Sequence, residues 1–166
     1  MALTGVDVAM GSFLRGLVQL DAILVKAEHH ATASGIDPAT LMGARLADDM
    51  YDLAAQVRWA VDATTITVAR LTGEPPTLAG EVATFLTLHA RIAAGIQALR
   101  AVPVEALEAG LGREITIAHR GSSTTYTGAS FLTAFAIPTF YFHLTCAYAI
   151  LRARGVPLTK GDYLGP

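Results

Sequence analysis

The residues of this chain best able to do chemistry are a histidine, a glutamine and an aspartate in two separate segments. His143 lies within a long uncharged stretch, with Phe140 and Ala147 at helical spacing, so its imidazole is expected to face the interior. Two roles are open to it. It can ligate a metal with Cys146 one turn away and a carboxylate from a facing helix, or it can be a core residue that hydrogen-bonds a carbonyl or carboxylate.

Asp49, Asp52 and Gln56 recur at spacings of three and four residues, which places them on one side of a helix. Asp49 and Gln56 can then reach across to His143 and build a polar cavity for water, a metal ion or a small polar ligand. For Asp48 and Asp52 a structural role is favoured, because negative charge is stabilised at a helix N-terminus. Gln56 has apolar neighbours and should have a hydrogen-bond partner, since an unpaired buried amide is costly.

Familiar catalytic and cofactor-binding motifs are absent from the sequence. It contains no glycine-rich dinucleotide or phosphate loop, no G-x-S-x-G, no H-E-x-x-H and no C-x-x-C. Any chemistry must therefore come from scattered residues that meet in the fold.

Composition narrows the class of protein further. The 166 residues carry a net charge of −2 with no basic block, so no nucleic-acid partner is expected. A single cysteine and a start without a secretory signal favour a cytoplasmic protein. Residues 121–151 carry no charge and are long enough to span a bilayer. Pro138 and several polar groups within them favour a buried helix and no membrane partner.

Hydrophobic periodicity predicts the elements that must position these residues. The helices expected are a first that starts near Val6 and stops at Gly35, a second over residues 48–71, a third over 78–101 that buries Val82 and Leu86, and a fourth over 129–154. Alternation over residues 114–119 and 124–127 predicts a short β-hairpin before the fourth helix. The last residues, 159–166, either dock across the bundle or fray.

Four helices of similar length predict an all-α, four-helix bundle that forms a single domain over residues 1–166. More than a dozen residues connect the first helix to the second, and the third to the fourth. Such long links predict crossover connections rather than tight antiparallel turns.

Specific stretches of the chain resemble an uncharacterised bacterial family, a domain of unknown function. The matching stretches are Gly35-Ile36-Asp37-Pro38, Ala44-Arg45-Leu46-Ala47, Phe140-Tyr141-Phe142-His143, Ala147-Tyr148-Ala149-Ile150-Leu151-Arg152 and Asp162-Tyr163-Leu164-Gly165. That family is similar to the DinB/YfiT-like superfamily, whose fold is a four-helix bundle, often dimeric, with a metal site typically made by three histidines. Some of its members are thiol-dependent transferases or isomerases, and others are hydrolase-like.

The resemblance can be carried onto this chain residue by residue. His143 stands where a helix-four histidine ligand falls, whereas Ala134 and Thr139 occupy places expected for histidine and asparagine. The second helix offers Asp49 and Gln56 instead of a histidine.

The leading interpretation is a cytoplasmic, DinB-like homodimer with a polar pocket around His143, Asp49 and Gln56. That pocket is interpreted as a degenerate or divergent metal site, with His143 and Asp49 as ligands of a divalent ion such as zinc or nickel. One alternative is a metal-dependent hydrolase or thiol transferase that acts on a small molecule. Another is a non-catalytic module that binds a small ligand or mediates dimerisation.

Overall fold

The computed structural model describes residues 4–78, 80, 82–119 and 121–165. The helices are α1 (Gly5–Ser34), α2 (Pro38–Met42), α3 (Leu53–Thr72), α4 (Phe85–Ala101), α5 (Val104–Ala109), α6 (Gly128–Phe131), α7 (Ile137–Ala153) and α8 (Lys160–Leu164). Strands β1 (Glu114–His119) and β2 (Ser122–Thr127) form a hairpin, and a π-helical segment, Leu132–Ala136, joins α6 to α7. The predicted helical class with one small hairpin before the last long helix is confirmed.

Four long rods build the bundle: α1, α3, α4 and the continuous helix that runs from α6 to the end of α7. Helix α1 packs mainly against α4 and α7, and α3 packs mainly against the same two helices. The first two rods, α1 and α3, therefore lie diagonally opposite each other, and so do the last two, α4 and α7. The links between them must cross the bundle, as predicted from their length.

Two glycines end rods at the positions that the sequence predicts. Gly35 follows α1 with a φ of 63°, and Gly73 follows α3 with a φ of 85°. Both values lie in the left-handed region, where a residue without a Cβ is favoured and can close the last helical turn.

The start of α3 differs from the prediction. The helix begins at Leu53 rather than at Asp48, because Asp52 has an extended backbone and its carboxylate accepts a hydrogen bond from the N–H of Ala55 at 2.9 Å. Asp52 is thus the N-cap of the helix, the position at which an aspartate side chain satisfies an otherwise unpaired amide. Asp49 lies before the helix, in the connection from α2.

The start of α4 also differs from the prediction. The helix begins at Phe85, seven residues later than expected, because Thr84 caps its first turn. Val82 is 83% exposed and Leu86 is 79% exposed, so the prediction that both are buried was wrong. The helical spacing of apolar residues continues past the cap, but residue 82 lies outside the helix and Leu86 faces outward in its first turn.

A proline sets the geometry of the fourth rod. Pro138 has no N–H to donate to the preceding turn, and the residues just before it form the π-helical segment. There the N–H of Ile137 donates to the carbonyl five residues earlier, which widens the turn. Thr139 and His143, one turn apart in α7, both lie on the side that faces α3.

The hairpin is anchored to the bundle at its base. Ile115 on β1 is buried in the core. The N–H of Gly128 donates to the carbonyl of Arg113 at 2.8 Å, and the N–H of Ala129 donates to the carbonyl of Leu111 at 2.9 Å. These bonds fix the position of β1 next to α3 and the π-helical segment.

Of the two alternatives for the C-terminal segment, the structure shows docking. The hydroxyl groups of Tyr163 and Thr145 are hydrogen-bonded at 2.8 Å, and Lys26 pairs with Asp162 at 2.5 Å. The hydrogen bond from Lys26 and a second from the backbone of Thr159 lower the pKa of Asp162 to about 2. Helix α8 is thereby tied to both α1 and α7.

Two helices, Gly5–Ser34 and Gly128–Ala153, are long and apolar enough to cross a membrane by length and composition alone. The buried faces of both contribute to the bundle core. Helices at the centre of a soluble bundle meet the same criteria. The expected homodimer, cytoplasmic location and lack of nucleic-acid or membrane partners stay predictions.

Candidate functional site

The structure brings His143 and Gln56 together across the interface between α7 and α3. The His143 Nδ1 and the Gln56 Oε1 atoms lie 2.7 Å apart, and both side chains are buried, with exposed fractions of 9% and 1%. Gln56 thus has the hydrogen-bond partner that its apolar surroundings require.

The other end of the Gln56 amide determines which tautomer His143 adopts. Gln56 Nε2 donates to the backbone carbonyl of Tyr51 at 3.3 Å, so the atom that faces the imidazole is the amide oxygen. An amide oxygen only accepts hydrogen bonds, and His143 Nδ1 must therefore carry the proton. In a neutral imidazole this leaves Nε2 with a lone pair, as an acceptor or a ligand.

Burial keeps this imidazole neutral. Removal from water disfavours the charged form and lowers the pKa of His143 below its ordinary value of 6.5. Gln56 occupies Nδ1. Within the described residues, no protein group hydrogen-bonds the other ring nitrogen, Nε2. The basic nitrogen therefore has no hydrogen-bond partner in the described part of the chain, and His143 is one of the residues that line a cleft.

Aromatic rings surround His143. The Trp59 ring is stacked with the imidazole, with centroids 6.2 Å apart and planes 20° apart. The ring centroids of Tyr51 and Phe142 lie 6.5 Å and 5.3 Å from that of the imidazole. Such walls favour flat or apolar ligands and restrict the orientation of the imidazole.

His143 opens onto a cleft of about 470 Å³ between α3, the fourth rod and the hairpin. Its lining comprises Tyr51, Trp59, Ala63, Ile66, Thr67, Arg70, Ile117, Ala118, Phe131, Phe135, Ala136, Thr139 and His143. The walls are predominantly apolar and aromatic, with few polar groups, which is typical of a small-molecule site.

Asp49 does not belong to this site. It is exposed in the connection before α3 and does not line the cleft. Asp52, on the same predicted face, caps the helix and pairs with Arg45 at 3.4 Å. The prediction of a shared helical face failed because α3 starts four residues after Asp49, so the spacing between Asp49 and Gln56 is not helical.

Sequence reasoning missed Trp59 and Arg70 as residues of the cleft. Trp59 follows Gln56 by three residues on α3, and that spacing could have placed it beside the glutamine. No comparable signal exists for Arg70, because it reaches the cleft only where the hairpin covers the end of α3.

The donor set does not fit the three-histidine metal site that the resemblance implies. The described residues contain no cluster of three His, Cys, Asp or Glu side chains that could hold a metal. Around His143 stand Gln56, whose amide is already hydrogen-bonded, and Thr139, a neutral alcohol. Burial raises the pKa of the Cys146 thiol and so disfavours the thiolate that binds metals.

The lowered pKa of His143 predicts an acid-dependent loss of stability. The unfolded chain binds this proton more tightly than the folded protein does, so stability falls as the pH drops below 6.5 and the loss is complete below the folded-state pKa. Urea unfolding should show this decline in the wild-type protein and a shallower one in His143→Asn. Equal slopes in the two proteins would contradict the burial argument.

Comparison with solved structures identifies the class of protein. The crystal structure of a DinB family member protein from Shewanella denitrificans matches this chain with a TM-score of 0.85 and 36% sequence identity, over 97% of this chain and 92% of that one. The fold is therefore a DinB-like four-helix bundle.

Residues 6–164 match the domain of unknown function DUF1993, and the chain belongs to this family. The resemblance noted in the sequence is thereby confirmed. No functionally curated protein matches the sequence.

Proposed function

We propose that this protein binds a small, largely apolar molecule in the cleft beside α3, and that His143 recognises a hydrogen-bond donor on that molecule. The observation that carries the proposal is the 2.7 Å bond between His143 Nδ1 and Gln56 Oε1. It fixes the tautomer and orients the ring, so the Nε2 lone pair is prepared for a ligand before binding.

The surroundings of His143 support recognition of a flat hydroxyl-bearing group. A phenolic O–H donates to a neutral imidazole nitrogen, and its ring can pack against the Trp59 side of the pocket. The cleft volume of about 470 Å³ lies within the range of small-molecule sites. Binding of this kind requires neither a metal ion nor Asp49.

Calorimetric titration with para-hydroxyphenyl alkanols of increasing chain length tests the proposal. Trp59 is the sole tryptophan, so its fluorescence gives a second, independent measurement of ligand binding in the cleft. We expect these phenols to bind at neutral pH about tenfold more tightly than their methyl ethers, which have no O–H to donate.

Two variants make the test specific to His143. His143→Phe removes the acceptor but keeps an aromatic ring, and it should erase the preference for the phenol. Asp49→Asn changes an exposed residue outside the cleft and should leave the affinity unchanged. Equal affinity for phenol and ether in the wild type, or no binding of either, would overturn the proposal.

The donor set also predicts the metal content of the protein. Zinc and nickel sites in proteins use several imidazole, thiolate or carboxylate ligands, whereas among the described residues that line this cleft His143 is the single such group. Untagged protein purified without chelator should hold less than stoichiometric zinc or nickel by elemental analysis. A stoichiometric ion that is lost in His143→Ala would show instead that the divergent metal site is functional.

A further inference from the structure

Arg70 lies at the end of the cleft away from His143. It is in the last turn of α3, and its Nη1 donates to the carbonyl of Thr116 on β1 at 3.2 Å. The guanidinium carbon stands 6.0 Å from the centre of the Phe131 ring. The strand and the aromatic ring thus hold a half-buried positive charge beside the cleft.

This charge has no acidic partner among the described residues. Two of the other described arginines have one: Arg91 pairs with Asp62 at 2.5 Å and Arg45 pairs with Asp52 at 3.4 Å. The Nε atom of Arg70 is buried and makes no hydrogen bond. The C-terminal dipole of α3 offsets part of the cost of this charge, but a partly desolvated cation is stabilised most by an anion placed against it.

The distance between His143 and Arg70, at opposite ends of the cleft, restricts which ligands can contact both residues. Trp59, beside His143, and Arg70 lie eleven positions apart on α3, which is about 16 Å along the helix axis at 1.5 Å per residue. The lining between them includes Ala63, Ile66 and Phe135, which are apolar. A molecule that reaches both ends is therefore elongated, with a hydrophobic middle.

We propose that the cleft selects an elongated hydroxyaryl carboxylic acid, with its carboxylate at Arg70 and its phenol at His143. The inference rests on the proposed function, because it names the ligand class of the same cleft. A carboxylate supplies the missing counter-charge to Arg70, and charge-assisted hydrogen bonds to a guanidinium are stronger than neutral ones. Arg70 is then the residue that determines specificity for acids over neutral analogues.

The test compares para-hydroxyphenyl alkanoic acids of increasing chain length with their methyl esters, which are neutral. In the wild-type protein, the best-fitting acid should bind at least about tenfold more tightly than its ester. Added salt should weaken binding of the acid more than binding of the ester, because ion pairing is screened.

Variants at two arginines locate the selectivity. Arg70→Gln should abolish the preference for the acid while ester affinity changes by less than about twofold, which also shows that the cleft is intact. Arg113→Gln is the matched control. Arg113 lies near the same end of α3, where it donates to the carbonyls of Leu71 and Thr72, but it does not line the cleft. This variant should keep the preference for the acid.

The possible failures can be told apart. Ester binding that depends on His143, without any preference for the acid, would overturn the role of Arg70 and leave the proposed function standing. A preference for the acid that survives in Arg70→Gln would also overturn the role of Arg70 and leave the proposed function standing. Absence of binding by every acid and every ester in the wild type would overturn both proposals.

Discussion

Gly128→Ala is expected to destabilise the protein by about 3 kcal/mol, although alanine favours helices more than glycine does. A Cβ at position 128, the first residue of α6, would lie 2.1 Å from the carbonyl oxygen of Gly110 and 2.9 Å from the Cα of Leu111. Both are backbone atoms, so no rotation of a side chain relieves the contact. The two backbone segments must therefore move apart, which disrupts the base of the hairpin.

Urea unfolding of Gly128→Ala measures this effect, and Gly112→Ala is its control. A Cβ at position 112 meets no atom within 4 Å, so that variant should have nearly wild-type stability. Destabilisation of Gly128→Ala by less than about 1 kcal/mol would show that the hairpin does not require this close backbone contact.

Gln56→Leu is expected to lower the free energy of unfolding by about 2 kcal/mol. Leucine is apolar and of similar size, so the substitution leaves little empty space. The loss arises because the Nδ1–H group of His143 stays buried without an acceptor. The Tyr51 carbonyl also loses the hydrogen bond that it accepts from the Gln56 amide.

A double-mutant cycle with His143→Phe isolates the bond between the two side chains. Once the imidazole is removed, Gln56→Leu should cost about 1 kcal/mol less than it does in the wild-type protein, since no donor is left unpaired. Additive effects of the two substitutions would contradict a direct interaction between Gln56 and His143.

The ends of α1 and α3 were predictable from the sequence, because a glycine stops each helix. Gly35 and Gly73 adopt the left-handed backbone that stops α1 and α3, and the long links revealed the crossovers. The start of α3 was placed too early because Asp48 and Asp52 both suit a helix N-terminus. The start of α4 was placed too early because the helical spacing of apolar residues continues past its cap. In the structure Asp52 and Thr84 serve as the caps, and only the folded backbone selects them.

The candidate site was predictable where a buried polar group demanded a partner. Gln56, surrounded by apolar residues, and His143, within an uncharged helix, each needed one, and they pair with each other. Asp49 was misplaced because a shift in one helix start removes a residue from a helical face. Arg70 was not foreseeable, since its place in the cleft depends on β1, far away in the chain.

The protonation state and tautomer of His143 test the central claim most directly. Heteronuclear NMR of the imidazole nitrogens in labelled protein, followed through a pH titration, reports both. The structure predicts a neutral ring at neutral pH, with the proton on Nδ1 and a pKa below 6.5. A proton on Nε2 of the neutral ring, or a pKa at or above 6.5, would contradict the claim that Gln56 holds this histidine ready to accept a ligand's hydrogen bond.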